Sequence, residues 1–218
     1  MFGEHQSGEQ PILVIACGAL AREIEAISRR WGWKHLHLKC IDAKLHNRPA
    51  EIPARLRKMI RRHRSAYDEI FVAYADCGTG GGIDRVLAEE GARRLEGAHC
   101  YEFFAGRERF AALSTAEPGT FYLTDFLARH FDQFVIKPLG LDKHPELRNA
   151  YFGNYRKLVY LSQTEDAGLL ESAARAAARL DLEFEHLHCG YGELETGLAA
   201  RFSRRQSIPI AAEGHNGT

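Results

Sequence analysis

The strongest constraint on the fold is an alternation of short apolar runs with segments of helical periodicity. Ile12–Ala16 is a continuous apolar run, which is typical of a strand buried on both faces. The segment after it carries one apolar stripe at helical spacing, made of Leu20, Ile24, Ile27 and Trp31. His35–Cys40 then has the pattern of a second strand. A strand, a helix and another strand in this order predict a parallel pair.

The same alternation continues towards the C-terminus. The predicted strands are Glu69–Ala75, Ala98–Phe104, Leu158–Leu161 and Leu182–His188. The predicted helices are Ile83–Leu95 and Gly168–Leu180, and helical stretches are predicted near Phe121–His130. We therefore predict an α/β fold of Rossmann-like type, with a mostly parallel sheet and helices on both faces. Since the first and last units share one pattern, two pseudo-repeated β-α-β halves are a further hypothesis.

Length and composition limit the organisation and the function classes. The 218 residues favour one large domain, assigned to residues 12–201, with a flexible N-terminus over 1–11 and a flexible tail over 202–218. Lys plus Arg and Asp plus Glu both number 29, so the zero net charge gives no global attraction for nucleic acid. The longest apolar stretch, Ile12–Ala21, is shorter than the roughly 20 residues of a membrane helix. Without a secretory signal, we expect a cytoplasmic protein with no nucleic-acid or membrane partner.

Three of the five cysteines occupy positions where a parallel sheet binds ligands. Cys17 ends the first predicted strand, Cys77 follows the end of Glu69–Ala75, and Cys100 lies in the predicted strand Ala98–Phe104. If these strands are neighbours, the thiols meet at one edge of the sheet. Soft thiolates suit zinc, or alternatively an iron–sulfur cluster, and three protein ligands leave the open position of a catalytic zinc. The competing interpretation is structural, because free cysteine often behaves as a small buried apolar residue.

A glycine-rich loop follows Cys77 and precedes a predicted helix. Its backbone N–H groups could hold a phosphate or a carboxylate, so four residues are candidate substrate-binding groups: Gly78, Thr79, Gly80 and Gly81. The alternative is a flexible turn, since the loop matches neither a dinucleotide-binding fingerprint nor a P-loop. Glu23 and Asp76 lie close in sequence to the cysteines and are candidate catalytic acids or bases.

Several longer motifs resemble a bacterial and archaeal family known as a domain of unknown function. These motifs are Ala16–Leu20, Tyr74–Gly81, His99–Phe104, Leu139–Arg148 and Tyr151–Tyr155, and the similarity extends from residue 12 to residue 198. Genes of this family often lie near corrinoid-dependent methyltransferases, corrinoid proteins and folate methyltransferases. The resemblance therefore implies one-carbon metabolism, with a corrinoid protein or a methyltransferase as a partner. It also implies that charged and turn-forming residues line the site, namely Asp142, Lys143, His144, Arg148 and Tyr155.

Residues and resemblance together predict a zinc-binding α/β protein that acts on a small-molecule substrate in corrinoid- or folate-linked methyl transfer. A zinc ion held by Cys17, Cys77 and Cys100 would activate a bound thiol or water as a nucleophile, as a metal-dependent methyltransferase requires. Two alternatives stay open. One is a non-catalytic metal or cofactor carrier that serves a corrinoid system. The other is a binder of phosphate or another anion in which the cysteines are structural.

Overall fold

A computed structural model describes residues 11–203 of the chain. The predicted flexible ends, 1–11 and 202–218, therefore lie almost wholly outside the described residues. Phe202 is an exception, because it ends the last helix and is buried in edge-on contact with Trp33 and Phe71. The helical chain thus continues one residue past the predicted limit of the domain.

The first sheet is parallel and has four strands. Strand β1 is Ile12–Cys17, β2 is Leu36–Ile41, β3 is Glu69–Ala73 and β4 is Arg93–Arg94. Their order across the sheet is β2-β1-β3-β4, so β1 has a neighbour on each side, and all six of its residues are buried. This position explains the uninterrupted apolar run, since both faces of such a strand are covered by helices.

The second sheet is also parallel and has three strands. Strand β5 is Thr120–Leu123, β6 is Lys157–Ser162 and β7 is Glu183–His188, in the order β5-β6-β7. The predicted α/β class, with parallel strands flanked by helices, is confirmed, and the strands are divided between two sheets. The two β-α-β units considered as pseudo-repeats lie in different sheets.

Helices connect the strands and cover the sheets. They are α1 Ala21–Trp31, α2 Ile52–His63, α3 Gly82–Glu90, α4 Cys100–Ala105, α5 Arg107–Ala116, α6 Asp125–Arg129, α7 Arg148–Phe152, α8 Ala167–Leu180 and α9 Gly192–Phe202. A π-helix spans Asp132–Ile136. The stripe predicted for the first helix is buried at Leu20, Ile24 and Ile27, whereas Trp31 is 42% exposed. The Trp31 side chain does not enter the core, and its indole N–H donates a hydrogen bond to Glu195.

Each sheet has its own apolar core. The first core includes β1, β3 and the C-terminal helix α9, which contributes Leu194, Leu198 and Phe202. The second core is built around β6 and the alanine-rich helix α8. Phe126 and Phe134, which follow β5 along the chain, pack against the first core. The segment that follows β5 in the three-stranded sheet therefore packs against the core of the four-stranded sheet and connects the two.

One predicted strand is wrong. Ala98–Phe104 is not a strand, because helix α4 begins at Cys100 and buries Phe103 and Phe104 while it packs on α9. The helical stretch expected near Phe121–His130 is present at Asp125–Arg129, and the residues before it belong to β5. Thr124 separates the two elements as the N-cap of α6.

Candidate functional site

The three predicted cysteines line one pocket, at the carboxyl ends of the first strands of both sheets. Cys17 ends β1 and is 9% exposed, Cys77 lies four residues after the end of β3 and is 8% exposed, and Cys100 begins α4 and is half-buried. The three cysteines therefore line one pocket, which Cys100 reaches from a helix, but within residues 11–203 they do not form a group arranged to hold a metal ion.

Hydrogen bonds beyond the end of β3 explain how Cys100 comes close to Cys77. The N–H of Asp76 donates to the Gly97 carbonyl at 3.0 Å, and the N–H of Cys77 donates to the Ala98 carbonyl at 2.9 Å. These bonds align residues 97–98 with residues 76–77, just before the chain turns into α4. Cys77 itself has a φ of 48°, a left-handed conformation that is uncommon outside glycine. The pocket thus depends on a backbone turn that local sequence patterns do not predict.

All three thiols are held in their neutral form. Burial, followed by the neighbouring Cys17, raises the pKa of Cys77 to about 12. The pKa values of Cys17 and Cys100 are also raised, first by burial, and the nearby thiols Cys77 and Cys17 raise that of Cys100 further. A thiol is reactive and binds metal as the thiolate, so at neutral pH each of these groups must lose a proton before it acts.

The pocket itself is small and mostly apolar. Its volume is about 60 Å³, and the rest of its wall includes Ala19, Leu20, Ala75, Phe126, Leu127 and Phe134. Ligand pockets of drug-like size are roughly 300–1,000 Å³, whereas one water-sized probe needs about 10–15 Å³. A site of this size therefore accepts an ion with one or a few small groups, and excludes a ligand as large as a corrinoid.

His46 also lines the pocket, and it was not among the predicted site residues. It lies in the 3₁₀ turn after β2, where no periodic pattern marks it. Burial, followed by the charge of His99, lowers the pKa of His46, so its imidazole is neutral at neutral pH. A neutral imidazole can accept a proton or ligate a metal. Over residues 11–203, however, no group of three or more His, Cys, Asp or Glu side chains is arranged to hold a metal ion.

The glycine loop after Cys77 already holds a carboxylate of this chain. Asp76 accepts hydrogen bonds from the N–H of Gly80 at 3.1 Å, from the N–H of Gly81 at 3.0 Å and from the hydroxyl of Thr79. Although partial burial opposes it, these bonds lower the pKa of Asp76. An external anion that binds at Gly78–Gly81 would therefore have to displace the Asp76 carboxylate. This carboxylate was predicted to be catalytic, and its hydrogen bonds stabilise the loop.

The other predicted carboxylate, Glu23, lies next to a polar network that the sequence did not identify. Glu23 is 5% exposed in the first turn of α1, and its Oε2 atom has no hydrogen-bond partner among residues 11–203. Burial, together with the charge of Asp125, raises the pKa of Glu23. Asp125 is 1% exposed and accepts hydrogen bonds from the Tyr160 hydroxyl at 2.6 Å, the Thr164 hydroxyl at 2.6 Å and the Gln163 N–H at 3.0 Å. The Thr-Asp pair after an apolar run was the available signal for this network.

The residues implied by the resemblance lie elsewhere. Asp142, Lys143 and His144 are exposed, and His144 is 3.1 Å from Glu146. Arg148 pairs with Asp181 at 3.0 Å and shares a separate cavity with Tyr155. Tyr155 precedes β6 and Asp181 precedes β7, so this cavity is at the amino ends of the second sheet. The structure does not bring these residues to the cysteine pocket, because that pocket lies at the carboxyl ends.

A comparison with known families identifies the family of this chain. Residues 40–198 match the model of a family described as Protein of unknown function (DUF1638). The chain belongs to this family. The match includes Cys77 and Cys100, whereas Cys17 precedes it. Neither a curated protein nor a solved structure matches the chain. Among the described residues, the helices lack the combination of length and apolar character needed to cross a membrane.

Proposed function

We propose that this protein binds a thiophilic metal ion, with zinc as the first candidate, in the pocket lined by Cys17, Cys77 and Cys100. The observation that carries the proposal is that three thiols from three separate segments line one small pocket. Thiolate sulfur is a preferred ligand of zinc and of iron–sulfur clusters. The carboxyl ends of parallel strands are also the usual place of ligand sites in α/β folds.

The chemistry of these residues suits such an ion, whereas their positions do not yet match those of metal ligands. The donor set is right for a soft metal, but the side chains of residues 11–203 are not arranged as a group of three or more metal ligands. Loading therefore requires these side chains to move into ligating positions. Loading also requires the release of protons, since burial keeps these thiols neutral.

The chemistry proposed for the site is one-carbon transfer in the cytoplasm, linked to a corrinoid or a folate. A bound zinc would lower the pKa of a coordinated thiol or water at neutral pH. The apolar wall contributed by Leu20, Phe126 and Phe134 would exclude bulk water, and neutral His46 would accept a proton. At about 60 Å³, the pocket has room for a methyl-bearing group, whereas a corrinoid would remain on a partner protein.

A non-catalytic metal carrier is the second candidate. The observation that favours it is that neither Glu23 nor Asp76 lines the cysteine pocket, and Asp76 is engaged by its own loop. A carrier needs ligands and a means of release, but no catalytic acid or base. The anion-binding alternative at Gly78–Gly81 receives less support, since the N–H groups of Gly80 and Gly81 already have an internal partner.

Metal analysis of the full-length chain tests the proposal. We expect stoichiometric zinc after dialysis, and a loss of zinc affinity of about a hundredfold or more in each of Cys17→Ser, Cys77→Ser and Cys100→Ser, because even loss of an outer-shell partner costs 10–100-fold. Cys189→Ser is the matched control, since Cys189 is a half-buried thiol outside the pocket. Absence of zinc binding would overturn metal binding. Equal losses of zinc affinity in the control would overturn the assignment of the metal to this pocket. Bound iron with acid-labile sulfide would replace zinc by an iron–sulfur cluster.

Enzyme and carrier are separated by a methyl-transfer assay. The zinc-loaded protein is incubated with methylcobalamin or a methyl-folate and a panel of thiols, and methylated thiol is quantified. Turnover that Cys77→Ser abolishes supports an enzyme. Absence of turnover by protein that retains its zinc supports the carrier.

A further inference from the structure

A second, larger cavity lies beside the second sheet and shares none of its lining residues with the cysteine pocket. It has a volume of about 490 Å³ and opens between helix α8 and the segment formed by α6 and the π-helix. Small side chains line it on both sides, Ala128 on α6 and Ala176 on α8. Because they leave space between the helices, the cavity is within the range typical of small-molecule sites.

Positive charge dominates this cavity. Its described lining includes the cations Arg129, Lys137, Arg175 and Arg179, and one carboxylate, Asp132. Asp132 is paired with Arg179, and Arg175 is paired with Glu171 at 2.6 Å. Within residues 11–203, Arg129 and Lys137 take part in no ion pair, and the Arg129 guanidinium donates one long hydrogen bond of 3.5 Å to the Asp125 carbonyl. The cavity therefore retains excess positive charge after its internal pairs are formed.

The π-helix supports a functional interpretation of the same wall. The N–H of Lys137 donates to the Asp132 carbonyl at 2.9 Å, five residues back, and this widened turn lies where Asp132, Gln133 and Lys137 line the cavity. Such π-helical turns are rare and occur frequently at functional sites. Phe131 and the two alanines add an apolar surface to the cationic one.

We propose that this cavity binds a small organic phosphate. Arginine guanidinium groups match phosphate oxygens in paired hydrogen bonds, and lysine adds a point charge. The phosphate would neutralise the excess charge of Arg129 and Lys137. A bare phosphate ion would leave most of the 490 Å³ empty, whereas an organic body could contact Ala128, Phe131 and Ala176. This site is independent of the metal proposed for the cysteine pocket.

Calorimetric titration of the full-length protein tests the assignment, with adenosine monophosphate, ribose 5-phosphate and inorganic phosphate as probes. We expect saturable binding of at least one organic phosphate, tighter than that of inorganic phosphate. Lys137→Gln and Arg175→Gln should each weaken it about tenfold or more, since each removes a charge-assisted hydrogen bond to the phosphate. Both side chains are exposed, so far-UV circular dichroism should be unchanged.

The matched control is Arg55→Gln, which removes the same charge from the exposed face of α2. It should leave the affinity within twofold of that of the unmodified chain. Absence of saturable binding by all three probes would overturn the site, and so would equal weakening by Arg55→Gln. Equal affinity for inorganic and organic phosphate would overturn the proposal that the ligand is an organic phosphate.

Discussion

Zinc affinity should rise steeply with pH if the three buried cysteines are the ligands. Burial raises the pKa of Cys77 to about 12 and raises those of Cys17 and Cys100 above their ordinary value, so all three are protonated near pH 7. Binding as thiolates then releases one proton from each. Each released proton contributes a factor of ten per pH unit, or about 1.4 kcal/mol. Since three protons are released, we expect zinc to bind about a thousandfold more tightly, with a binding free energy about 4 kcal/mol more favourable, for each unit of pH increase near neutrality.

Competition with a chromophoric chelator, calibrated at each pH, measures this slope. The logarithm of the zinc association constant should increase with a slope near three, falling to two in Cys17→Ser. Cys189→Ser should keep the full slope, because its thiol lies outside the pocket. A slope of one or less in the unmodified chain, or an identical slope in Cys17→Ser, would refute the assignment of three neutral thiols as ligands.

Three further predictions concern stability, measured by chemical denaturation. The raised pKa of Glu23 makes its ionisation unfavourable in the folded state, so stability is lost as the pH rises from the unfolded pKa near 4.3 through the folded pKa. Glu23→Gln should therefore stabilise the protein at pH 7 and not at pH 4. Absence of any gain at pH 7 would contradict this. Tyr160→Phe removes the 2.6 Å hydrogen bond to buried Asp125 and should cost about 1–3 kcal/mol, because it leaves a buried acceptor without this donor; an unchanged unfolding free energy would exclude a stabilising hydrogen bond there. Gly192→Ala should cost more than about 1 kcal/mol, because φ is +47° and the new methyl group would collide with the Phe104 carbonyl; a neutral effect would mean that α9 can shift on α4.

The strand-helix-strand units were predictable because they depend on local periodicity. The apolar run at Ile12–Ala16 reports burial on both faces, and the stripe Leu20, Ile24 and Ile27 reports one buried helix face. The wrong strand arose where aromatic residues are compatible with either structure. Phe103 and Phe104 have good strand propensity, but their burial against α9 favours a helix, and propensity is routinely overridden by packing.

The site was predictable only in part. Position after a strand correctly placed Cys17 and Cys77 at a carboxyl edge, because parallel strands share that edge. His46 gave no signal, since it lies in an irregular turn whose position depends on neighbouring segments. The glycine loop was identified, but sequence spacing could not indicate that Asp76 would occupy its N–H groups.

The sequence alone determined the parallel α/β class, since the pattern of apolar residues fixes which segments can be strands and which helices. It did not determine which strands become neighbours, because the free energy of pairing depends on contacts between segments far apart in the chain. Only the tertiary structure divided the strands between two sheets, placed Phe126 and Phe134 against the first core, and brought three thiols to one pocket. Those thiols have raised pKa values for the same reason, since burial is a property of the assembled cores.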